Sequence, residues 1–208
     1  MKTFKLYIIS GCNGSGKTTA SYAVLPELLK CSEFVNSDEF AKGLSPFNPE
    51  KASIGASRLM LLKIRYLLSQ KKTFAIETTL ATRSLRKLIT EAQEAGYFVT
   101  IIYFWLKSPN LAVERVRARV LSGGHNIGES TIRRRYGVGL SYFFDLYMKI
   151  ADRWILADNS TIPFKVVAQG WRENMVVRDN KKFEDIKKQA LEYTRESYQT
   201  LIKNDPTD

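Results

Sequence analysis

The sequence is poor in the residues that stabilise secreted or metal-binding domains. Its 208 residues include two cysteines, Cys12 and Cys31, and one histidine, His125. Two cysteines are too few for the disulfide framework of a secreted protein, so we expect a reducing, cytoplasmic location. One histidine without a neighbouring cysteine or a second histidine does not make a zinc site. The composition therefore argues against a disulfide scaffold and against a zinc protein.

Long apolar runs are also missing. No run reaches the length of a membrane span, and the chain starts with a strand candidate rather than with the apolar segment of a signal peptide. Neither repeats nor low-complexity segments occur. Because 44% of the residues are hydrophobic, the chain can still form the core of one sizeable α/β domain. We predict a single domain over residues 1–208 that does not enter a membrane.

Acidic residues are outnumbered by basic ones, 21 against 32, which gives a formal net charge of +11. Such a balance favours an anionic partner, namely a nucleotide, a nucleotide-sugar or a nucleic acid. The basic residues are scattered apart from one cluster, which makes a nucleic acid the less favoured of these partners. A basic surface without a dedicated partner is the alternative interpretation.

The most informative segment is residues 11–18, which read GCNGSGKT and fit the phosphate-binding pattern G-x-x-x-x-G-K-[ST]. In such a loop, backbone N–H groups surround a phosphate chain, Lys17 reaches the β- and γ-phosphates, and the Thr18 hydroxyl holds Mg²⁺. An apolar strand candidate precedes the loop and a helix follows it, as this motif requires. A chance match in a glycine-rich turn is the alternative. The pattern predicts ATP and Mg²⁺ as cofactors, with ATP contacts from Gly11, Asn13, Gly14, Ser15, Gly16, Lys17, Thr18 and Thr19.

Six strand candidates alternate with helical segments along the chain. This alternation predicts a three-layer α/β fold of the P-loop NTPase type, with a parallel sheet and helices on both faces. Ser108 and Pro109 are typical of a helix start, and an amphipathic packing helix is predicted at residues 180–202. The strand candidates are residues 4–10, 33–36, 73–78, 97–106, 153–157 and 164–168.

Two acidic residues follow strand candidates, at the edge where open parallel sheets bind ligands. Asp38 comes after the second strand and Glu77 ends the third. The guanine-binding pattern Asn-Lys-x-Asp of GTPases is missing, and no acidic residue follows a long apolar strand as in motor ATPases. We expect one carboxylate to act as base at an acceptor hydroxyl and the other to hold a substrate hydroxyl or, through water, Mg²⁺. The alternatives are a helix N-cap for Asp38 and a solvated strand end for Glu77.

Six arginines lie within one stretch of twenty-one residues, on either side of the flexible sequence Gly123-Gly124-His125. Two basic helices around a mobile loop are typical of a phosphotransferase lid, predicted here over residues 108–136, whose arginines stabilise the transferring phosphoryl group. We expect His125 to contact phosphate or to turn the loop. A solvated basic helix pair and a nucleic-acid-binding face are the alternatives. The arginines are Arg115, Arg117, Arg119, Arg133, Arg134 and Arg135.

The order of these motifs resembles the zeta toxin family of P-loop kinases over most of residues 4–170. The resemblance implies a fold similar to nucleoside-monophosphate kinases, phosphorylation of a sugar hydroxyl of UDP-N-acetylglucosamine, and inhibition by a small antitoxin. The matching segments are residues 11–19, 36–39, 74–80, 96–97, 114–116, 123–125, 132–136, 151–154 and 158–160.

The resemblance also assigns roles to individual residues. It implies Lys17 and Thr18 on ATP and Mg²⁺, Asp38 as the base, and Glu77 in the substrate pocket. It further implies two lid arginines on the phosphates, taken as Arg119 with Arg133 or Arg134, and we add Arg115 and His125 as nucleotide contacts.

We therefore predict an ATP-dependent kinase that acts on a small hydroxylated acceptor, with a nucleotide-sugar as the leading candidate. Catalysis would depend mostly on positioning and charge neutralisation. The alternatives are a kinase of RNA or DNA ends, which would use the basic lid as a phosphate groove, and a nucleotide-gated interaction module without an acceptor.

Overall fold

The computed structural model describes residues 4–24, 26, 29–48, 51–124, 126–171 and 174–203. Within these residues, seven strands form one sheet in the order β2-β3-β1-β4-β5-β6-β7. The first five strands pair in parallel, which confirms the predicted type of fold. The strands are β1 (Phe4–Ser10), β2 (Phe34–Val35), β3 (Phe74–Thr78), β4 (Tyr97–Trp105), β5 (Arg153–Asp158), β6 (Lys165–Trp171) and β7 (Asn174–Val177).

One edge of the sheet differs from the all-parallel prediction. Strand β6 pairs antiparallel with β5, and β7, which the sequence analysis did not predict, pairs antiparallel with β6. The connection between Asp158 and Lys165 is too short for the crossover of a dozen or more residues that a parallel neighbour needs. A short link between adjacent strands therefore forces the antiparallel arrangement.

The helix start predicted at Ser108 and Pro109 and the packing helix predicted at residues 180–202 are confirmed. The Ser108 hydroxyl accepts a hydrogen bond from the Leu111 N–H at the start of α5, directly before Pro109, and Gly96 adopts a φ of 89° just after α4. A π-helical segment, Phe143–Tyr147, connects α6 to α7. The helices are α1 (Lys17–Val24), α2 (Ser37–Leu44), α3 (Ser53–Ser69), α4 (Leu85–Glu94), α5 (Pro109–Leu121), α6 (Glu129–Tyr142), α7 (Met148–Ile150) and α8 (Asn180–Lys203).

Both faces of the sheet are covered, as its apolar strands require. On β1, Leu6 and Ile8 belong to a core cluster that includes α3, α4 and α8, whereas Tyr7 and Ile9 face the opposite cluster, which Ala20 of α1 joins. The central position of β1, between β3 and β4, brings the segments that follow β1, β2 and β3 to one edge of the sheet.

Among the described residues, no helix is both long and apolar enough to cross a lipid bilayer.

Candidate active site

The loop after β1 depends on three glycines. Gly11, Gly14 and Gly16 adopt φ angles of 137°, 79° and 81°, which side-chain-bearing residues rarely take. A Cβ atom on Gly11 would lie 2.3 Å from the Phe104 carbonyl oxygen, and one on Gly14 would lie 2.5 Å from the Ala112 carbonyl oxygen. Glycine is therefore required both by the backbone conformation and by the close approach of β4 and α5.

Lys17 is the buried cation of this loop, with 6% of its surface exposed. Its Nζ donates a hydrogen bond of 2.8 Å to the Cys12 carbonyl oxygen and lies 3.8 Å from Glu77 Oε1. Burial lowers the pKa of Lys17, and the charge of Glu77 opposes this shift. Burial raises the pKa of the Cys12 thiol to about 11, so Cys12 is a protonated, inert side chain.

Glu77 connects the loop to the neighbouring strand β2. Its Oε2 accepts hydrogen bonds from Thr18 Oγ1 at 2.8 Å and from Asn36 Nδ2 at 2.9 Å. Burial raises the pKa of Glu77, while Lys17 and the Thr18 hydrogen bond oppose the rise. Glu77 is therefore a bonded, largely buried carboxylate and not the solvated strand end that was the alternative interpretation.

Asn36 is a site residue to which the sequence analysis gave no role. It follows β2, whose Val35 is aligned with Ile76 of β3, so Asn36 lies beside Glu77. Its Oδ1 accepts a hydrogen bond of 2.8 Å from the Asp38 N–H, which makes Asn36 the N-cap of α2. The signal that could have revealed it is a polar residue between a buried strand and an acidic helix start.

Asp38 lies in the first turn of α2 and is not its N-cap, which corrects the alternative interpretation of that residue. Its half-buried side chain lines the same cavity as Lys17 and Glu77. The structure thus brings together the lysine and both carboxylates that the sequence analysis selected, although they lie up to sixty residues apart along the chain.

The arginine-rich segment divides into residues near the loop and residues away from it. Arg135 Nη1 donates a hydrogen bond of 3.1 Å to Asn13 Oδ1, and Arg135 lines the cavity. Burial lowers the pKa of Arg135, Arg134 adds to this shift, and Asp38 opposes it. From sequence, Arg135 was included in the lid cluster but was not among the arginines selected for phosphate contact, because three consecutive arginines carry no signal that distinguishes them.

The arginines that the sequence analysis selected lie in different surroundings. Arg133 Nε and Nη2 donate hydrogen bonds of 2.9 and 2.8 Å to Glu129 Oε1, and Arg117 Nη2 donates one of 2.7 Å to Glu129 Oε2. Arg133 and Arg134 are exposed. Arg119 is also exposed, and its charge lowers the pKa values of Lys17 and Glu77; burial has the larger effect on both, lowering the pKa of Lys17 and raising that of Glu77. Contacts of Arg119, Arg133 and Arg134 with phosphate stay predictions.

Arg115 connects α5 to the segment after β5. Its Nη1 and Nη2 donate hydrogen bonds of 2.8 and 3.1 Å to the carbonyl oxygens of Asn159 and Ser160. Asn159 Nδ2 in turn donates a bond of 2.7 Å to the Ser15 carbonyl oxygen. Arg115 and Asn159 therefore support the phosphate loop from the β5 side, and a nucleotide contact of Arg115 stays a prediction.

His125, the remaining predicted contact, lies outside the described residues, and Thr19 is exposed beside the loop.

The two helices of the predicted lid are packed against the phosphate loop. Val116 of α5 and Ile132 and Tyr136 of α6 share a buried cluster with Cys12 of the loop. The Tyr136 hydroxyl also donates a hydrogen bond of 2.6 Å to the Leu106 carbonyl oxygen. Both helices are therefore anchored to the phosphate loop, and a lid over residues 108–136 stays a prediction.

A cavity of about 870 Å³ opens beside the loop and holds the residues described above. Polar side chains from the loop, α2, β3 and α6 meet there with aliphatic side chains from α3 and α4. Its lining includes Asn13, Lys17, Asn36, Ser37, Asp38, Lys42, Ser57, Met60, Leu61, Ile64, Ile76, Glu77, Thr78, Thr79, Thr82, Ser84, Leu85, Leu88, Asn126, Thr131 and Arg135.

The oxygen atoms near the loop suit Mg²⁺, a hard cation that binds oxygen ligands. The Thr18 hydroxyl and the Glu77 carboxylate are hydrogen-bonded to each other, and Asp38 lines the adjoining cavity. Within the described part of the chain, no group of three or more His, Cys, Asp or Glu residues could form an all-protein metal cage. The arrangement therefore fits a Mg²⁺ ion held mainly by nucleotide phosphates and water.

Two solved structures share this fold at low sequence identity. A chain of the AvrRxo1-ORF1:AvrRxo1-ORF2 complex with sulphate ions superimposes with a TM-score of 0.70 at 17% identity; the match covers 88% of this chain and 63% of that chain. The same complex was also solved with ATP. The PezAT toxin-antitoxin system of Streptococcus pneumoniae matches with a TM-score of 0.63 at 16% identity, over 92% of this chain and 88% of that chain.

A curated relative is closer in sequence. An uncharacterized protein of Haemophilus influenzae is 31% identical over 132 residues, which cover 64% of this chain and 92% of the relative. A family model described as an AAA domain matches residues 6–135, from β1 to the arginines of α6. The chain therefore belongs to this AAA domain family, and it has the fold of a P-loop kinase.

Proposed function

We propose that the protein is an ATP-dependent kinase that transfers a phosphoryl group to a hydroxyl of a small acceptor. The observation that carries the proposal is the single cavity in which Lys17 of the phosphate loop meets Asp38 and Glu77. A nucleotide-gated module without an acceptor would have no need of a large cavity lined by carboxylates and hydroxyl groups next to the phosphate site.

In this proposal the loop binds the triphosphate of ATP through its backbone N–H groups, and Lys17 compensates its negative charge. Lys17 would exchange its bond to the Cys12 carbonyl oxygen for one to a phosphate oxygen. The Thr18 hydroxyl would hold Mg²⁺. Glu77 would orient this hydroxyl through its hydrogen bond to Thr18. The bound ion supplies charge neutralisation on the phosphates.

The acceptor hydroxyl would lie between Asp38 and the γ-phosphate. Its oxygen forms the new bond to phosphorus, the bond from phosphorus to the β–γ bridging oxygen breaks, and ADP leaves. The Asp38 carboxylate accepts the hydroxyl proton. Asn36 supports this arrangement, because its amide binds Glu77 with one end and the backbone of Asp38 with the other.

Arg135 is the arginine that we assign to the transferring phosphoryl group. It lines the cavity next to Asn13 of the loop, and it is partly withdrawn from solvent, where a cation stabilises developing charge more strongly. Arg119 is a second candidate, because the zeta toxin resemblance implies a phosphate contact for it.

The finer predictions from the zeta toxin resemblance are part of the proposal. We propose UDP-N-acetylglucosamine as the first acceptor to test, a cytoplasmic location, and a small inhibitory protein as partner, since structural neighbours include a toxin-antitoxin system. A nucleic-acid acceptor is less favoured, because none of the described residues that line the cavity is aromatic, and single strands are generally held by stacking on aromatic rings.

The test measures ATP consumption and product mass with four acceptor classes: nucleotide-sugars, sugars, nucleosides and oligonucleotides. Phosphorylated product from one small acceptor, absent with Asp38→Asn, would support the proposal. Phosphorylation of oligonucleotide ends alone, with binding that weakens steeply as salt rises, would replace it with the nucleic-acid alternative. ATP binding without product from any class would favour the interaction module.

A further inference from the structure

The cavity has an apolar part that the proposed chemistry does not use. Its aliphatic side chains come from α3 and α4, which lie on the same face of the sheet. Leu61 is 52% exposed although it belongs to the cavity wall, and its neighbours on the wall include half-buried leucines. We call this group the aliphatic slot; its residues are Met60, Leu61, Ile64, Leu85 and Leu88.

The side chains of the aliphatic slot carry no charge. Among the described residues that line it, the ionisable side chains come from the loop, α2, β3 and α6, whereas α3 and α4 contribute aliphatic side chains and serine hydroxyls. The cavity is therefore lined by ionisable residues, namely Lys17, Asp38, Lys42, Glu77 and Arg135, and by an aliphatic part whose own side chains carry no charge. A ligand that fills both parts must itself be amphipathic.

The volume of the cavity supports a ligand with two parts. About 870 Å³ lies in the upper part of the range of roughly 300–1,000 Å³ for pockets that hold drug-sized ligands, which is more room than a single sugar ring needs. The Leu61 side chain is half exposed to water in the protein alone. A ligand that covers such a side chain gains binding free energy from the hydrophobic effect.

We propose that the acceptor is amphipathic, with a hydroxylated head at Asp38 and an aliphatic or acyl substituent in the aliphatic slot. This inference rests on the proposed function, because it takes the cavity as the acceptor site. The described lining offers no aromatic ring on which a base could stack, so flexible hydrocarbon matches the slot better than the base of UDP-N-acetylglucosamine, and an amphipathic acceptor would replace that nucleotide-sugar as the favoured one. Each methylene group that the slot removes from water should strengthen binding about fourfold.

The experiment measures binding of β-D-glucosides with methyl, butyl, hexyl and octyl chains, below their micelle-forming concentrations, by calorimetry with a non-hydrolysable ATP analogue present. We expect affinity to rise with each longer chain until the slot is filled. Leu61→Gln should remove most of this rise. Leu62→Gln is the matched control, because Leu62 is the next residue of α3, is 60% exposed and does not line the cavity.

Equal affinity for all chain lengths would overturn the proposal. A rise that persists unchanged in Leu61→Gln and in Leu88→Gln would also overturn it, since the chain would then bind elsewhere. Loss of uridine diphosphate-sugar binding in Leu61→Gln, with no dependence on alkyl chain, would show that the slot holds a base. Because these measurements need no phosphoryl transfer, Asp38→Asn separates the two ideas: it should retain the dependence on chain length while losing any kinase activity.

Discussion

The carboxylates and the arginines form two charged regions that are built in different ways. In the carboxylate region, Lys17 and Thr18 of α1, Asn36 after β2 and Glu77 of β3 come from three separate segments and are bonded to one another in a mostly buried network. In the arginine region, the cations lie on two helices, and those of Arg133 and Arg117 are paired with an exposed glutamate. Long-range bonding between residues of separate elements identifies a built site better than the local density of one charge.

The largest difference between the regions should appear when Lys17 is removed. Lys17→Ala leaves the triphosphate without its buried cation, and we expect turnover to fall about a thousandfold. The measurement is ATP consumption with the identified acceptor, beside circular dichroism to confirm folding. Folded protein with near-normal turnover would refute the assignment of the loop.

Asp38→Asn should reduce turnover at least about a hundredfold, because the amide cannot accept the hydroxyl proton. The N-cap bond is made by the backbone N–H of residue 38 to Asn36, so this substitution leaves the helix start intact. ATP affinity, measured by calorimetry, should stay within about threefold of the wild type, as expected for a group that acts on the acceptor. A parallel loss of affinity and turnover, or no loss of either, would contradict the role as base.

Within the arginine region, Arg135→Ala and Arg133→Ala form a matched pair of variants on one helix. We expect Arg135→Ala to lower kcat about ten- to a hundredfold with a smaller change in ATP affinity, since it removes a cation that faces the cavity. Arg133→Ala should change kcat less than about twofold, because its bond to Glu129 is exposed. The reverse ranking would restore the assignment made from sequence and would place α6 in a different orientation during catalysis.

The smallest expected effect is a shift of pH dependence. Burial raises the pKa of Glu77, so the activity that needs its carboxylate should be present above that raised pKa and should fall as pH drops through it. The acid limb of kcat/KM should lie above the ordinary glutamate value of about 4.3, and Glu77→Gln should lack it. The free energy of unfolding should depend on pH in the opposite direction from activity. Because the pKa of Glu77 is raised in the folded state, Glu77 stabilises the fold at low pH, and this contribution is lost as pH rises through the raised pKa. A wild-type acid limb at the ordinary value would show that Glu77 is not the group that titrates.

Much of the fold could be predicted from local signals. The P-loop pattern, the strand candidates and the cap at Ser108 all depend on neighbouring residues, and the corresponding elements were found. Strand β7 was missed because Asn174–Val177 is only four residues long, too short for a pattern of alternation. The direction of β6 was predicted wrongly from the alternation of strands and helices, although the short link between the strand candidates at residues 153–157 and 164–168 already excludes a parallel crossover.

In the candidate site, too, local sequence signals predicted some residues and missed others. Asp38 and Glu77 could be selected because polar residues after parallel strands meet at one edge of the sheet. The bridging role of Asn36 depends on the alignment of β2 with β3, which no local pattern reveals. The choice among Arg133, Arg134 and Arg135 depends on the rotation of α6 about its axis, because successive helical residues point about 100° apart.

By itself, the sequence determined the phosphate loop, the alternation of strands and helices, and the two carboxylates, because each follows from residue type and spacing within a few positions. Only the tertiary structure decided which arginine faces the loop, which residue joins Glu77 to Asp38, and that α3 and α4 form an aliphatic slot beside the polar part of the cavity. These features depend on strand register, helix rotation and the packing of distant segments. Such relations are set by the whole core and are encoded in no single stretch of the chain.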